Sequence, residues 1–214
     1  MKITIELNGV KVEKDIPTMW KEVTFGQFLK LSECEDDISK ILSLLTGIEV
    51  ETLNKAKIQN LEKIITLLSF LKTEMTLEVP KTCMGYEIPK NLEFETIGQF
   101  EDLKLEALQM KDVKSFEKYA LFCAIYAVKE YDYKKAEELA PVFLNAPCEE
   151  VMAIGNFTLL KLTELTSGIE VNWPPRNTLT RKLWLAFNAY RRNLAFTVRY
   201  FIWKKKLRLR ERSY

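Results

Sequence analysis

The chain lacks the residue type on which most enzyme mechanisms at neutral pH depend. None of its 214 residues is a histidine, so the usual general base and the commonest transition-metal ligand are both missing. Ser/His/Asp and Cys/His mechanisms are therefore excluded, although Asp, Glu, Lys and Tyr remain available for acid–base chemistry. The patterns GxGxxG, GxxxxGK(S/T) and GxSxG do not occur. We expect a protein that binds or assembles, with no catalytic residues and no cofactor.

The cysteines do not indicate a metal or redox site either. A zinc ribbon or a redox pair requires CxxC spacing, and the four cysteines lie far apart, at Cys34, Cys83, Cys123 and Cys148. We interpret them as buried free thiols and predict no metal site. The N-terminal residues contain no cationic stretch followed by an apolar block, so the sequence predicts cytosolic folding without a secretory signal.

The most distinctive chemistry lies in the C-terminal basic segment, which runs from Arg176 to Tyr214. It holds twelve Lys or Arg residues and one acidic residue, Glu211, and its charge is +11. The first 175 residues then hold 20 basic and 29 acidic residues, a charge of −9. The overall charge of +2 therefore conceals a strongly polarised molecule.

Residues 178–209 predict one long helix, because apolar and aromatic side chains recur at helical spacing on one side and cations on another. The predicted partner-binding residues are Trp184, Phe187, Tyr190, Arg191, Arg192, Arg199, Trp203, Lys204, Lys205 and Lys206. Docking of this helix on the acidic part of the chain or on a partner protein is the favoured interpretation, since wide aromatic faces are seldom left exposed.

Three alternatives stay open for the same helix. Cations with aromatic residues between them suit the phosphates of a nucleic acid. A basic face opposite a tryptophan-rich face suits a membrane surface, which is the least favoured partner; Arg191, Arg192 and Arg199 interrupt any apolar run long enough to span a membrane. In the third alternative the helix only completes the fold, with its charges solvated.

The elements before the basic segment are mostly helical. Alternating apolar and polar residues around Asn8-Gly9 predict a β-hairpin over residues 2–15. Thr24 and Gln27 have the spacing of a capping box, which predicts that a short helix begins there. Helical periodicity predicts three further helices, over residues 37–46 with a stop at Gly47, 50–56 and 58–71.

The second half begins with a less regular hairpin, in which Pro80 and Pro89 fit only edge or terminal strand positions. The stretch ETIGQFEDL then repeats VTFGQFLKL, so the chain is either a duplicated ββααα unit or reuses a capping box by chance. Residues 116–128 are apolar nearly all round, which places their helix at the centre of this half. The last two predicted helices cover residues 132–145, with an interruption near Pro141, and 148–166.

These patterns predict a mainly α fold (α+β) with two small β-hairpins and a long basic C-terminal helix. Residues 1–73 form the first hairpin and helical unit, and residues 74–171 form the second. Residues 172–214 comprise a stiff connector, in which Pro174 and Pro175 cannot continue a helix, and the basic helix.

The run WKEVTFGQF at residues 20–28, followed by Asp37 and by ILSLLTGI at 41–48, resembles small helical tail-assembly proteins of tailed bacteriophages, particularly tail assembly chaperones. The resemblance covers roughly residues 18–72, with a fainter echo from Thr96 onward. It does not extend to the N-terminal hairpin or the basic helix.

The resemblance implies a non-enzymatic protein that holds the tape-measure protein or tail-tube components while a tail is built. Such a protein would work in the host cytoplasm or remain in the virion. The competing expectation is a structural protein of the head-tail junction or a nucleic-acid-binding protein that uses the basic helix. Oligomeric state does not follow from the sequence.

Overall fold

The computed structural model describes residues 2–7, 10–34, 37–55, 58–110 and 116–166. These residues form eight α-helices and two small antiparallel sheets, which confirms the predicted mainly α fold. Contacts divide the chain into two units. Among the described residues, the first unit contains those up to Met19 and Lys30–Glu74, and the second contains Trp20–Leu29 and those from Met75 to Thr166. The sequence patterns had placed Trp20–Leu29 with the first unit.

The first unit opens with the predicted hairpin. Strand β1 (Lys2–Leu7) pairs antiparallel with β2 (Val10–Asp15), and Lys2 lies opposite Asp15. The helices that follow are α1 (Phe25–Glu33), whose second half belongs to this unit, α2 (Ile38–Thr46), α3 (Val50–Lys55) and α4 (Ile58–Leu67). The α-helix predicted over residues 58–71 is shorter than expected. It ends at Leu67, and a 3-10 helix continues over Leu68–Lys72.

Helix α2 begins and ends where the sequence predicts, because a capping residue stands at each end. Asp37 caps the first turn by accepting a hydrogen bond from the Lys40 backbone N–H at 3.2 Å. Gly47 ends the helix with φ 64°, a left-handed conformation that glycine adopts without a steric penalty, and its N–H donates to the Ser43 carbonyl. The buried side chains of α2 are Ile38, Ile41, Leu42, Leu45 and Thr46.

The second unit contains the hairpin of β3 (Thr82–Cys83) and β4 (Tyr86–Glu87) and four helices. These are α5 (Ile97–Gln109), α6 (Lys118–Ala127), α7 (Tyr133–Phe143) and α8 (Cys148–Thr166). The strands of this hairpin have two residues each, since Pro80 and Pro89 flank it closely. Its two-residue turn has positive φ at both Met84 (52°) and Gly85 (83°), the requirement of a type I′ turn.

Helix α6 lies at the centre of the second unit, as its apolar sequence predicts. It packs on α7 and α8, and its buried residues are Tyr119, Ala120, Phe122, Cys123, Ala124, Ile125, Tyr126 and Ala127. The Tyr119 ring lies against α8 at Gly155, where a Cβ atom would lie 2.2 Å from two of its ring carbons. The Tyr119 hydroxyl then donates to Asn156 Oδ1 at 3.0 Å. Only glycine allows this ring to lie against the α8 backbone.

The start of α1 is held by the loop between α7 and α8. The backbone N–H groups of Phe25 and Gly26 donate to the carbonyls of Ala146 (2.8 Å) and Leu144 (2.7 Å), so the free donors of a helix N-terminus are satisfied. The N–H of Cys148 donates back to the Val23 carbonyl at 2.9 Å. This reciprocal bonding fixes Trp20–Leu29 in the second unit.

Both copies of the repeated stretch form capping boxes. Thr24 and Gln27 exchange hydrogen bonds of 3.0 and 3.2 Å, and Thr96 and Gln99 exchange bonds of 3.3 and 3.1 Å. Each box follows a β-hairpin and a short 3-10 helix and precedes a series of helices. This shared element order is the arrangement expected of a duplicated unit.

The predicted interruption at Pro141 was wrong, because α7 continues through Pro141 to Phe143. Proline removes one backbone donor from the helix. Here the helix ends two residues later, and the Leu144 N–H donates to the Pro141 carbonyl at 3.2 Å. The hydrogen bond that Pro141 cannot donate is therefore missing only from the last turn of α7.

Gly155→Ala should destabilise the protein by about 1–3 kcal/mol, the usual cost of overpacking a core, although alanine is the better helix former by about 1 kcal/mol. Urea unfolding of the full chain measures this difference. Gly98→Ala is the matched control, since its Cβ would lie 3.2 Å from the ring edge of the half-buried Tyr131 and should cost less. Stabilisation by Gly155→Ala would contradict the described packing of α6 on α8.

Candidate functional site

The second unit contains an apolar groove of about 930 Å³, called here the α8 groove. One wall is the extended segment of residues 77–81, the other is residues 88–92, and α8 supplies the floor. The first wall is fixed at both ends. The Thr76 N–H donates to Glu149 Oε1 at 3.1 Å, and the Lys81 carbonyl accepts from the Ile88 N–H at 2.9 Å.

The floor exposes large apolar side chains of α8 to solvent. Phe157 is 42% exposed and Leu160 is 46% exposed, and both line the groove. Leu165, half exposed, follows on the same helix. The opposite side of α8 covers α6 and is buried at Val151, Ile154, Thr158 and Leu162. The helix therefore has two apolar faces, one packed in the core and one open.

The wall at residues 88–92 is a strained turn. Asn91 and Leu92 have positive φ values of 59° and 49°, and Leu92 is a branched residue for which this conformation costs about 1–2 kcal/mol. The structure holds the turn from both sides. Lys161 Nζ donates to the Asn91 carbonyl at 2.8 Å, and the Tyr126 hydroxyl donates to the Leu92 carbonyl at 3.4 Å. The groove wall is thus preformed by contacts to α6 and α8.

Charged side chains of both signs surround the apolar floor. The lysines are Lys81, Lys90 and Lys161, and the acids are Glu78 and Glu164. The Lys161 ammonium group already has two partners on the protein. It donates to the Asn91 carbonyl and lies 5.3 Å from the centre of the Phe94 ring. An apolar floor with a mixed-charge rim is typical of a surface that binds an amphipathic polypeptide.

The binding residues predicted from the sequence lie outside the described residues, which end at position 166. They are Trp184, Phe187, Tyr190, Arg191, Arg192, Arg199, Trp203, Lys204, Lys205 and Lys206. Their assignment stays a prediction. The α8 groove was not among the sites predicted from the sequence. A helical projection of residues 148–166 separates Phe157 and Leu160 from the buried face and is the signal that could have indicated it.

A polar cluster joins α5 to α6, to Tyr131 and to Tyr133, the first residue of α7. Tyr131 donates a hydrogen bond to Asp102, and Tyr133 donates to Glu106 Oε1 at 2.7 Å. Lys118 forms an ion pair with Glu106. Burial first, and then the adjacent carboxylates, raise the pKa of both tyrosines above the ordinary phenol value. These phenols remain protonated donors at neutral pH, so the cluster fastens helices together rather than supplying a base.

Three of the four cysteines are buried free thiols, as predicted, and Cys34 is half-buried. Burial, followed by the charge and hydrogen bond of Glu150, raises the pKa of Cys83 to about 12. Burial also raises the pKa of Cys123 and Cys148. A thiol with a raised pKa is a poor nucleophile at neutral pH.

The described residues hold neither a cluster suited to a metal ion nor a helix suited to a membrane. Among the described residues, no group of three or more Cys, Asp or Glu side chains could hold a metal ion. Within those residues, no helix combines the length and apolar character needed to cross a membrane. No family model matches the chain, and comparisons with curated proteins and with solved structures found no match.

Glu106→Gln should lower the free energy of unfolding by about 1 kcal/mol, because it removes the charge that holds Lys118 while keeping an acceptor for Tyr133. Urea unfolding measures the change. Glu101→Gln, on the exposed side of α5, is the control and should have little effect. An unchanged stability in Glu106→Gln would mean that this cluster is not structural and that its carboxylate is free for other chemistry.

The stability of the protein should fall as the pH rises above about 9. Ordinary pKa values are 9.0 for the thiols and 10.0 for the phenols, and the folded state raises them, so above pH 9 the unfolded state binds fewer protons. Urea unfolding at pH 7 to 10.5 measures this slope. Cys83→Ala should make it less steep. A free energy of unfolding that stays constant to pH 10.5 would contradict the burial of these groups.

Proposed function

We propose that the chain is a non-enzymatic assembly protein that binds an apolar helical segment of a partner protein in the α8 groove. The observation that carries the proposal is the open apolar floor, with Phe157 and Leu160 each more than two-fifths exposed. Large apolar side chains grouped on one open helix face are typical of binding surfaces. The preformed wall at residues 88–92 lowers the cost of ordering the site when a partner binds.

A helical partner suits the spacing of the floor residues. Phe157, Leu160 and Glu164 lie three and four positions apart, so they form a ridge along one side of α8. A second helix can pack its own ridge beside them, as helices do in protein cores. Its apolar positions would then contact Phe157 and Leu160, while its polar positions meet the lysines and glutamates of the rim.

The biological role we propose is that of a tail assembly chaperone of a tailed bacteriophage, with the tape-measure protein or a tail-tube protein as its client. The resemblance of residues 18–72 to such chaperones supports this role, together with the absence of histidine from the chain. A long helical tail protein offers the apolar segment that the groove would cover before the tail forms. The proposed site of action is the host cytoplasm.

The charge of the C-terminal basic segment favours a second candidate function. A charge of +11 within 39 residues suits binding to nucleic acid, or a structural position at the head-tail junction close to packaged DNA. Salt separates the two candidates. Counterion release makes nucleic-acid affinity fall steeply with salt, whereas burial of apolar side chains in a groove is much less salt-sensitive.

The double variant Phe157→Asp/Leu160→Asp should reduce recovery of the client about tenfold or more, because two apolar contacts at the centre of the interface are lost. The measurement is co-purification of the tagged full chain from cells that co-express the tail proteins, with nuclease treatment and a salt series. Leu105→Asp/Leu108→Asp is the matched control, since both leucines are similarly exposed on α5 and neither lines the groove.

Three results would contradict the proposal. The first is recovery of nucleic acid alone, lost on nuclease treatment, which would favour the second candidate. The second is equal loss of the client in the α8 and α5 variants. The third is full retention of the client by the α8 double variant while circular dichroism shows an intact fold.

A further inference from the structure

We infer that two copies of the chain associate through helix α5, which pairs antiparallel with α5 of the second copy. The surface that pairs, called here the α5 face, comprises Ile97, Glu101, Lys104, Leu105 and Leu108. None of these residues lines the α8 groove, so this association is independent of the proposed function and leaves the groove of each copy open.

Helix α5 has one packed side and one open side. The packed side chains are those of Gln99, Leu103 and Ala107. At about 100° per residue, the α5 face lies on the opposite side of the helix. Ile97 is 77% exposed, Leu105 is 55% exposed and Leu108 is 47% exposed. Three large apolar side chains on one open helix face are typical of an interaction surface.

The spacing of four residues on this face is symmetric. Ile97, Glu101, Lys104 and Leu108 are separated by four, three and four positions, so they form one row along the helix. The row reads the same from either end: apolar residues stand outside and charged residues stand inside. A second α5 that runs antiparallel therefore places its Leu108 opposite Ile97 and its Lys104 opposite Glu101. A twofold axis between residues 102 and 103 generates each of these contacts twice, as in an isologous dimer.

The charges of the row select the antiparallel orientation. In that orientation, each glutamate faces a lysine of the other copy. A parallel pair in register would oppose Glu101 to Glu101 and Lys104 to Lys104, and opposed like charges are costly at an interface. Within the part of the chain that the structure describes, neither residue belongs to an ion pair, and Lys104 Nζ lies 5.9 Å from the centre of the Phe100 ring. Both charges are therefore available to a second copy.

The length of α5 limits the strength of the dimer. The helix has 13 residues and is about 20 Å long. A single helix pair of this length covers less than the roughly 800 Å² per partner of a standard protein interface. We expect a dissociation constant in the micromolar range, so the dimer should form and dissociate as the protein concentration changes.

Sedimentation velocity of the full chain, over a hundredfold range of micromolar concentrations, measures the association. The mass should rise from that of a monomer to that of a dimer. Glu101→Lys and Lys104→Glu each oppose like charges at two points of the dimer, so each should weaken self-association about tenfold or more. The matched control is Glu138→Lys, at an exposed position of α7, which should associate as the unmodified chain does. Circular dichroism checks that each variant is folded.

An equal mixture of the two α5 variants tests the pairing itself. In a mixed dimer, the lysines of the Glu101→Lys chain face the glutamates of the Lys104→Glu chain, so the mixture should recover the affinity that each variant loses alone. The double variant Leu105→Asp/Leu108→Asp removes apolar contacts from the same face and should be monomeric, although it retains the α8 groove and its client.

Three outcomes would overturn the inference. One is a chain that stays monomeric throughout the concentration range. Another is a dimer that neither single variant weakens, which would place the interface elsewhere, for example on residues after 166. The third is a mixture that associates no better than its components, which would exclude the pairing of Glu101 with Lys104. A dimer that behaves as expected, with no tail protein recovered, would leave this inference intact and count against the proposed function alone.

Discussion

Helix α6 has no polar face, and the second unit depends on covering it. Its residues from Tyr119 to Ala127 are almost all buried, so two neighbouring helices, α7 and α8, must present apolar surfaces to it. The approach of α8 is limited by one position, Gly155, because the Tyr119 ring fills the space that a Cβ would need. Packing of this density leaves little freedom in the orientation of α8.

That fixed orientation explains the groove. Once α8 turns one face to α6, its other face points outward with Phe157 and Leu160 exposed. The same helix positions Lys161, whose ammonium group bonds the carbonyl of the strained residue Asn91. One wall and the floor of the groove are therefore consequences of how α8 covers α6. A site built on a core helix in this way is rigid before a partner arrives.

The sequence predicts elements well where the signal is local. The hairpin at residues 2–15, the ends of α2 and both capping boxes follow from Asn-Gly, Asp, Gly and Thr-x-x-Gln spacing, and all of them form. Prediction from the sequence fails where contacts between distant parts of the chain determine which unit a segment joins. Bonds from the α7–α8 loop place Trp20–Leu29 in the second unit, and no pattern within that segment reveals them. The walls of the groove, residues 77–81 and 88–92, meet α8 only in the folded chain, so the sequence did not predict the groove even though the helical projection of α8 separates Phe157 and Leu160 from the buried face.

The central claim is that the open face of α8 is a binding surface. Hydrogen–deuterium exchange of the full chain, alone and with the client recovered by co-purification, tests it most directly, because binding slows exchange where backbone becomes covered. The account predicts slower exchange in peptides from residues 77–92 and from α8, with little change in α5. Slower exchange confined to α5 or to the first unit, with residues 77–92 unaffected, would contradict it.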